Sequence, residues 1–149
     1  MPFPRSGRAV QRLSAAAMSA LLLASAVKHF RDPGFYRQVV PGYLCRDDGA
    51  AAPRPFALLS REEWIAVSGL LELAAAVGIL VPGTRKATAT GTTMMFAAFL
   101  AGHVDALRRA YGPQGTRAQR KVHTVRLPLQ APLIAWAWSL RKPAVGAGL

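Results

Sequence analysis

The sequence contains a single cysteine, Cys45, among 149 residues. One thiol excludes an intrachain disulfide, a Cys-x-x-Cys redox pair and a cysteine-based metal site. A Walker loop, a GxGxxG turn and an HExxH helix are also missing, which argues against a nucleotide-binding loop and a zinc protease. We predict no catalytic residue and no metal site. A metal held by His29, His103 and His123 is the weaker alternative, because no two of them have ligand spacing on one helix.

Acidic residues are scarce as well: 7 Asp and Glu stand against 19 Lys and Arg, which gives a net charge of +12. In a soluble domain this balance would suggest nucleic-acid binding. Here the charged residues lie between four apolar blocks instead of alternating with apolar residues at helical spacing. Basic residues that flank apolar blocks favour anionic lipid headgroups as partners. We therefore predict membrane lipids, and not nucleic acid, as the partner of the basic residues.

The four apolar blocks predict an all-α fold, an integral membrane four-helix bundle formed by one domain over residues 1–149. The predicted spans are 13–30, 64–82, 87–107 and 125–140, which makes the chain a multi-pass protein of the plasma membrane. The block from Trp64 to Val81 would extend about 27 Å as a helix, close to the roughly 30 Å thickness of a bilayer core. Alternatively, the first block is a signal peptide that is cleaved near Ala24-Ser25-Ala26.

A long loop joins the first two predicted spans. We expect its first half, around residues 36–44, to lie in the interface as a short helix, and residues 47–55 to be flexible. Ser60 and Glu63 have the spacing of a capping box at the start of the second span. Residues 31–63 and 108–126 together hold 11 Lys and Arg, and the opposite side of the bundle holds 7. This charge count places the loops 31–63 and 108–124 in the cytoplasm.

The intramembrane polar residues sort to one side of the predicted bundle. Glu72 lies about 12 Å inside the second span, where a carboxylate needs a partner, and we expect Arg126 or Lys28 to supply it. The other helices contribute residues to the same side, which gives a predicted ligand-binding cluster of Lys28, His29, Glu72, His103, Asp105, Arg126 and Gln130. The alternative is that the long side chains near helix ends reach the headgroups and that one buried ion pair only fixes the helix register.

Three stretches of the sequence resemble the DoxX family of small membrane proteins. They are residues 28–44, which begin Lys-His-Phe-Arg-Asp-Pro, residues 68–85 with Gly-x-x-Glu and Pro-Gly-Thr-Arg, and residues 126–138 with Arg-Leu-Pro-Leu-Gln. The third helix departs from the family pattern, because Phe99-Leu100-Ala101-Gly102 stands where the family often has Phe-Pro-Ala-Asn. The resemblance implies a four-helix membrane bundle and a link to quinone-linked redox chemistry.

The first functional hypothesis is therefore a DoxX-like accessory subunit of a membrane complex, with a partner protein and no catalytic activity of its own; a quinone-linked redox complex is the candidate. No cofactor is required by the sequence, and a quinone is the candidate. The second hypothesis is a small transporter or a membrane protein that binds lipid or a small molecule in a polar pocket around Glu72. The third is a membrane enzyme in which Glu72 accepts a proton.

Overall fold

A computed structural model describes residues 5–46, 49 and 54–143. In these residues the chain is all-helical, without a β-strand. Four α-helices carry the fold: α1 is Arg5–Arg31, α2 is Arg61–Gly78, α3 is Arg85–Ala110 and α4 is Arg117–Ser139. The ends of the predicted single domain, 1–4 and 144–149, lie outside the described residues. So does most of the loop segment that was expected to be flexible, at 47–48 and 50–53.

Two of the helices begin earlier than the apolar blocks indicate. α1 begins at Arg5 and not near residue 13, and α4 begins at Arg117 and not near residue 125. Five of the eight residues in each extra segment, 5–12 and 117–124, are Arg, Lys, Gln or Ala, which favour a helix without forming an apolar block. Apolar content predicts where a helix contacts lipid or core, and the helix itself continues for about two turns beyond that region.

Capping boxes define the starts of α2 and α4. The Glu63 amide donates to Ser60 Oγ at 3.1 Å, and the Ser60 amide donates to Glu63 Oε2 at 2.7 Å, which confirms the predicted box. Thr116 and Gln119 form a second box, with distances of 3.2 and 2.9 Å. Each box satisfies two backbone amides that a helix start leaves without partners.

An apolar core holds the half of the bundle that lies near the chain termini. α1 packs mainly on α2, and α3 packs mainly on α4. One side-chain hydrogen bond lies within the first pair, where Ser19 of α1 donates to the Ala76 carbonyl of α2 at 2.7 Å. Another joins the two pairs, since the Trp136 indole of α4 donates to Ser14 Oγ of α1 at 2.8 Å. The buried residues of this core are Ala15, Met18, Leu22, Ala76, Ile79, Ala89, Phe96, Ala137 and Leu140.

Outside that core, the distribution of polarity is inverted relative to a water-soluble bundle. Every one of the four helices exposes large apolar side chains, among them Leu13, Leu70, Leu71, Met94 and Val125. The buried polar residues are Ser19, His29, Glu72, Arg85, Thr92, His103, His123 and Gln130. The helices therefore turn polar groups toward one another and apolar groups outward.

One helix, over Gly7–Arg31, is long and apolar enough to cross a membrane by length and composition. Among the described residues this is one candidate span, whereas the sequence analysis predicts four. The reason is composition within each helix. α2 begins with Arg61, Glu62 and Glu63 and contains Glu72, α3 is diluted by four threonines, and α4 has a charged first third.

Candidate functional site

A cavity of about 260 Å³ occupies the half of the bundle that lies away from the chain termini. All four helices line it, together with a connecting segment between α1 and α2. Eight of the sixteen lining residues are apolar, and the other eight are polar or carry a hydroxyl group. The lining residues are Leu21, Leu22, Ser25, His29, Tyr36, Val39, Val40, Ser68, Glu72, Phe96, Phe99, His103, Arg126, Leu129, Gln130 and Leu133.

The cavity brings together five of the seven residues of the predicted cluster: His29, Glu72, His103, Arg126 and Gln130. Lys28 and Asp105 do not line it. Lys28 Nζ donates to Asp32 Oδ2 at 2.8 Å on the exposed surface, and Arg109 Nε donates to Asp105 Oδ2 at 2.9 Å. Adjacent or second-neighbour residues of a helix point to different faces, so the neighbours of His29 and His103 turn away from the cavity.

The partner of Glu72 is His29, and not Arg126 or Lys28 as the sequence analysis expects. Glu72 Oε2 lies 3.3 Å from His29 Nδ1, and both side chains are about 95% buried. The same Nδ1 lies 2.9 Å from the Ser25 carbonyl oxygen. A carbonyl only accepts hydrogen bonds, so Nδ1 of His29 carries a proton and donates it to the Ser25 carbonyl.

Tyr36 holds the His29 ring from the other side. The two rings stack with centroids 3.5 Å apart and planes inclined by 16°. The Tyr36 hydroxyl donates to the Ser25 carbonyl at 3.3 Å and lies 3.1 Å from Ser25 Oγ. Burial raises the pKa of the Tyr36 hydroxyl, which therefore stays protonated as a donor. Tyr36 is absent from the predicted cluster because it lies on the loop, where helix periodicity gives no signal.

Arg126 is held by an aromatic ring and not by a carboxylate. Its guanidinium lies 4.3 Å from the centroid of the Phe35 ring, which is a cation–π distance. Phe35 itself packs edge-on against Tyr36. The positive charge of Arg126 therefore reaches the cavity without an acidic partner among the described residues.

His103 and Gln130 form the opposite polar wall. Gln130 Nε2 lies 3.0 Å from His103 Nε2, so the amide donates to the ring lone pair and the ring proton is on Nδ1. Three polar atoms of the wall are buried and have no hydrogen-bond partner within the described part of the chain: His103 Nδ1, Gln130 Oε1 and Glu72 Oε2. Buried polar atoms without a partner are uncommon in native proteins, and three of them line one cavity.

The segment 33–45 covers the cavity, and we call it the cap segment. It consists of three separate 3₁₀ turns, Pro33–Phe35, Arg37–Val39 and Gly42–Leu44, and not of one interfacial helix. Pro41 and Gly42 prevent a continuous helix, since proline lacks an amide donor and restricts the residue before it. Tyr36, Val39 and Val40 of the cap segment line the cavity.

Side chains from two helices, α2 and α3, fix the cap segment by its backbone carbonyls. Arg61 donates to the carbonyls of Arg37 and Val40, at 2.8 and 2.6 Å. Arg109 donates to the carbonyl of Gln38 at 2.7 Å, and the Trp64 indole donates to that of Leu44 at 2.8 Å.

Gly102 lets the cap segment pack directly on α3. A Cβ at residue 102 would overlap the Val39 carbonyl oxygen. The close approach therefore depends on the missing side chain.

The third histidine lies outside the main cavity. His123 Nε2 donates to Gln38 Oε1 at 3.0 Å, beside a separate cavity of about 210 Å³. Across residues 5–46, 49 and 54–143, no three His, Cys, Asp or Glu side chains lie close enough to hold a metal ion. The arrangement of the main cavity is that of a hydrogen-bonding pocket, with donors and acceptors on a partly apolar wall.

No curated protein and no solved structure matches this chain. A family model matches residues 18–141, a range that contains the whole cap segment and every residue that lines the main cavity. The chain therefore belongs to the family described as "Domain of unknown function (DUF8561)".

Proposed function

We propose that this chain is a multi-pass protein of the plasma membrane that binds a small amphiphilic molecule in the cavity around Glu72. The observation that carries the proposal is the set of three buried polar atoms without a hydrogen bond on the wall of one cavity, His103 Nδ1, Gln130 Oε1 and Glu72 Oε2. Glu72 Oε2 has the 3.3 Å contact with His29 Nδ1, but that contact is not a hydrogen bond, because Nδ1 donates to the Ser25 carbonyl. They offer one donor and two acceptors to an occupant.

The inverted polarity supports four spans in a membrane bundle. Within each of α2, α3 and α4, a residue that lowers the hydropathy is turned inward: Glu72, Thr92 and Gln130 are each at least 90% buried. The charged residues Glu62, Glu63, Arg117 and Lys121 are exposed, but they lie at the starts of their helices. The hydroxyl groups of Thr90, Thr92 and Thr93 donate hydrogen bonds to backbone carbonyls one turn earlier in α3, at 2.7–2.8 Å. A helix in such a bundle meets lipid only through its outer face, and on all four helices that face carries large apolar side chains.

The composition of the wall indicates an occupant with both polar and apolar parts. Water alone could satisfy the three polar atoms, but it gains nothing from the apolar half formed by leucines, valines, Phe96 and Phe99. A volume of about 260 Å³ is below the usual range for drug-sized ligands, so the occupant is a small ring compound or one end of a longer lipid. A quinone head is one candidate, since its carbonyl oxygens would accept from His103 Nδ1–H.

Glu72→Gln and Asp105→Asn are a matched pair of variants for testing the ligand. Both replace a carboxylate by its amide, but only Glu72 lines the cavity. The wild type and both variants would be purified in mild detergent and examined by native mass spectrometry, with solvent extraction of bound small molecules. We expect one compound in the wild type and in Asp105→Asn, at a level that falls at least tenfold in Glu72→Gln. Equal amounts in all three proteins, or no bound compound in any, would reject the binding proposal.

The membrane topology has its own test. Single reporter fusions after Lys142, in the turn 82–84 and in the loop 111–116 would be scored for cytoplasmic or external location. Four spans predict that the 82–84 and Lys142 fusions report the same side and the 111–116 fusion the opposite side. One span formed by α1 predicts the same side for all three.

The DoxX resemblance and the accessory-subunit role stay predictions that the same purification addresses. A protein retained by the wild type in stoichiometric amount would support a complex, and its identity would name the pathway. An enzymatic activity of the wild type that is lost in Glu72→Gln, while the variant stays folded, would support the enzyme hypothesis, in which Glu72 accepts a proton.

A further inference from the structure

The end of the bundle near the chain termini carries a basin of about 590 Å³ that is lined mainly by cations. We call it the basic basin. Its cations come from three separate parts of the chain, the start of α1, the start of α3 and the residues after α4. They are Arg8, Arg12, Arg85, Lys86, Arg141 and Lys142. No carboxylate of the described residues lines the basin.

The opposite end of the bundle has cations too, but many of them are paired. Ion pairs join Lys28 to Asp32, Arg37 to Glu62, Arg46 to Glu63 and Arg109 to Asp105. Every acidic residue of the sequence lies between residues 32 and 105, and none belongs to α1, the α2–α3 turn or the C-terminal part of the chain. The basic basin is therefore a concentration of positive charge that no acidic side chain of the described residues lines, and neighbouring cations such as Arg85, Lys86 and Lys142 repel one another.

Two features of the basin have hydrogen-bond donors without a side-chain acceptor, the Arg141 guanidinium and the start of α3. Arg141 stacks over Trp138 with its guanidinium 3.7 Å from the ring centroid, and its buried Nε–H has no acceptor in the described part of the chain. The start of α3 is uncapped: the Thr84 side chain donates to the Gly78 carbonyl at 2.7 Å and does not accept from α3. An uncapped helix start attracts anions through its free amides and its dipole.

We propose that the basic basin binds a phosphate group, and that this site is separate from the cavity around Glu72. Phosphate oxygens accept several charge-assisted hydrogen bonds at once, and arginine matches them with two parallel donors. Phosphate would neutralise the mutual repulsion of the cations and supply the acceptor that Arg141 Nε–H lacks. Two sources share this chemistry, the headgroup of an anionic phospholipid and free phosphate. Trp138, which is 51% exposed beside Arg141, is typical of a residue at headgroup depth and favours the phospholipid.

The test compares two double variants that remove the same charge. Lys86→Gln/Lys142→Gln alters two exposed side chains of the basin, and Arg117→Gln/Lys121→Gln alters two exposed side chains at the other end. Detergent-solubilised proteins would be titrated with phosphatidylglycerol, with phosphatidylcholine and with inorganic phosphate, and followed by native mass spectrometry. A third variant, Arg141→Gln, tests the orphaned donor directly. Circular dichroism confirms that each variant is folded.

We expect saturable binding of phosphatidylglycerol that is about 25-fold weaker in the basin variant, since each cation near an anionic lipid contributes about fivefold. The Arg117→Gln/Lys121→Gln control should bind like the wild type. If inorganic phosphate displaces phosphatidylglycerol and binds with the same affinity, the site is assigned to free phosphate, and the proposal of a phosphate site holds. If phosphatidylglycerol binds more tightly than inorganic phosphate, the site is assigned to a lipid headgroup. Equal weakening in both double variants, or binding unchanged in Lys86→Gln/Lys142→Gln and in Arg141→Gln, would overturn it.

Discussion

Replacement of Gly102 by alanine should open the cap segment. A Cβ at residue 102 would overlap the Val39 carbonyl oxygen, so the cap segment has to retreat by about 1 Å to reach an ordinary carbon–oxygen contact. Overpacking of this kind costs about 1–3 kcal/mol, whereas glycine to alanine within a helix gains about 1 kcal/mol. Gly91 of the same helix is the matched control, because a Cβ there meets nothing within 4 Å.

Cys45 provides the assay. It is the only cysteine of the chain, it is 1% exposed, and its thiol lies 3.5 Å from the Pro41 carbonyl at the end of the cap segment. Labelling by a maleimide therefore requires local opening, and its rate follows the free energy of that opening. A cost of 1–3 kcal/mol predicts labelling about 5- to 150-fold faster in Gly102→Ala than in Gly91→Ala.

Two further measurements make the comparison decisive. Labelling in denaturant should be equally fast for both variants and the wild type, which excludes a change in the thiol itself. Ligand retention should fall in Gly102→Ala and remain in Gly91→Ala, since Val39 and Val40 form part of the cavity wall. If Gly102→Ala labels at the wild-type rate, the cap segment does not rest on α3 and the reasoning is refuted.

Three other predictions concern the cap segment and the start of α2. Ser60→Ala removes the capping box and should lower the free energy of unfolding by about 0.5–2 kcal/mol in chemical denaturation; an unchanged midpoint would contradict this. The hydrogen bond from the Ser60 amide lowers the pKa of the Glu63 carboxyl below its usual value. The stability that this hydrogen bond contributes should therefore be present above the ordinary glutamate pKa and be lost as the pH falls through the lowered pKa of Glu63. Glu63→Gln should remove that pH dependence from the thermal midpoint, and a persisting dependence would assign it elsewhere. Tyr36→Phe keeps the ring stacked on His29 but loses the hydroxyl contacts to Ser25, which predicts a loss of about 1 kcal/mol and faster labelling of Cys45; equal rates would show that the hydroxyl does not hold the cap segment.

The helices and their order follow from the sequence, because apolar blocks and the breakers between them are local signals. The capping box at Ser60 and Glu63 is such a signal, and so is the one at Thr116 and Gln119, which the sequence analysis overlooks although its Thr-x-x-Gln spacing is readable. The predicted starts of α1 and α4 are wrong for a related reason. Arg, Gln and Ala extend a helix without marking it as apolar.

The site follows from the sequence only in part. Helix periodicity predicts which residues share an end of the bundle, but it does not predict rotation about each helix axis. His29 and Lys28 are neighbours in sequence, yet the first lines the cavity and the second binds Asp32 at the surface. Helix periodicity also gives no information on partners that lie on the loop, because the position of Tyr36 depends on tertiary contacts with Ser25 and His29 of α1.

The departure of this chain from the DoxX pattern has a structural consequence. Where the family often carries asparagine, this chain has Gly102, and the cap segment rests on the backbone of α3 at that residue. A side chain as large as asparagine would overlap the Val39 carbonyl in this arrangement. The packing of the cap segment on α3 therefore requires the glycine found here, and the DoxX resemblance stays a prediction.

The two halves of the bundle have different physical roles. The half near the termini is held by close-packed apolar residues such as Met18 and Ile79, whose contacts need no partner from outside the chain. The half around Glu72 leaves polar atoms unsatisfied and is covered by a segment that is fixed largely through its backbone carbonyls. A ligand that satisfies those atoms would stabilise this half by RT ln(1 + L/Kd), where L is the free ligand concentration and Kd its dissociation constant, and would leave the apolar contacts unchanged. In the binding protein that we propose, the cap segment would open for ligand exchange while the apolar core stays folded.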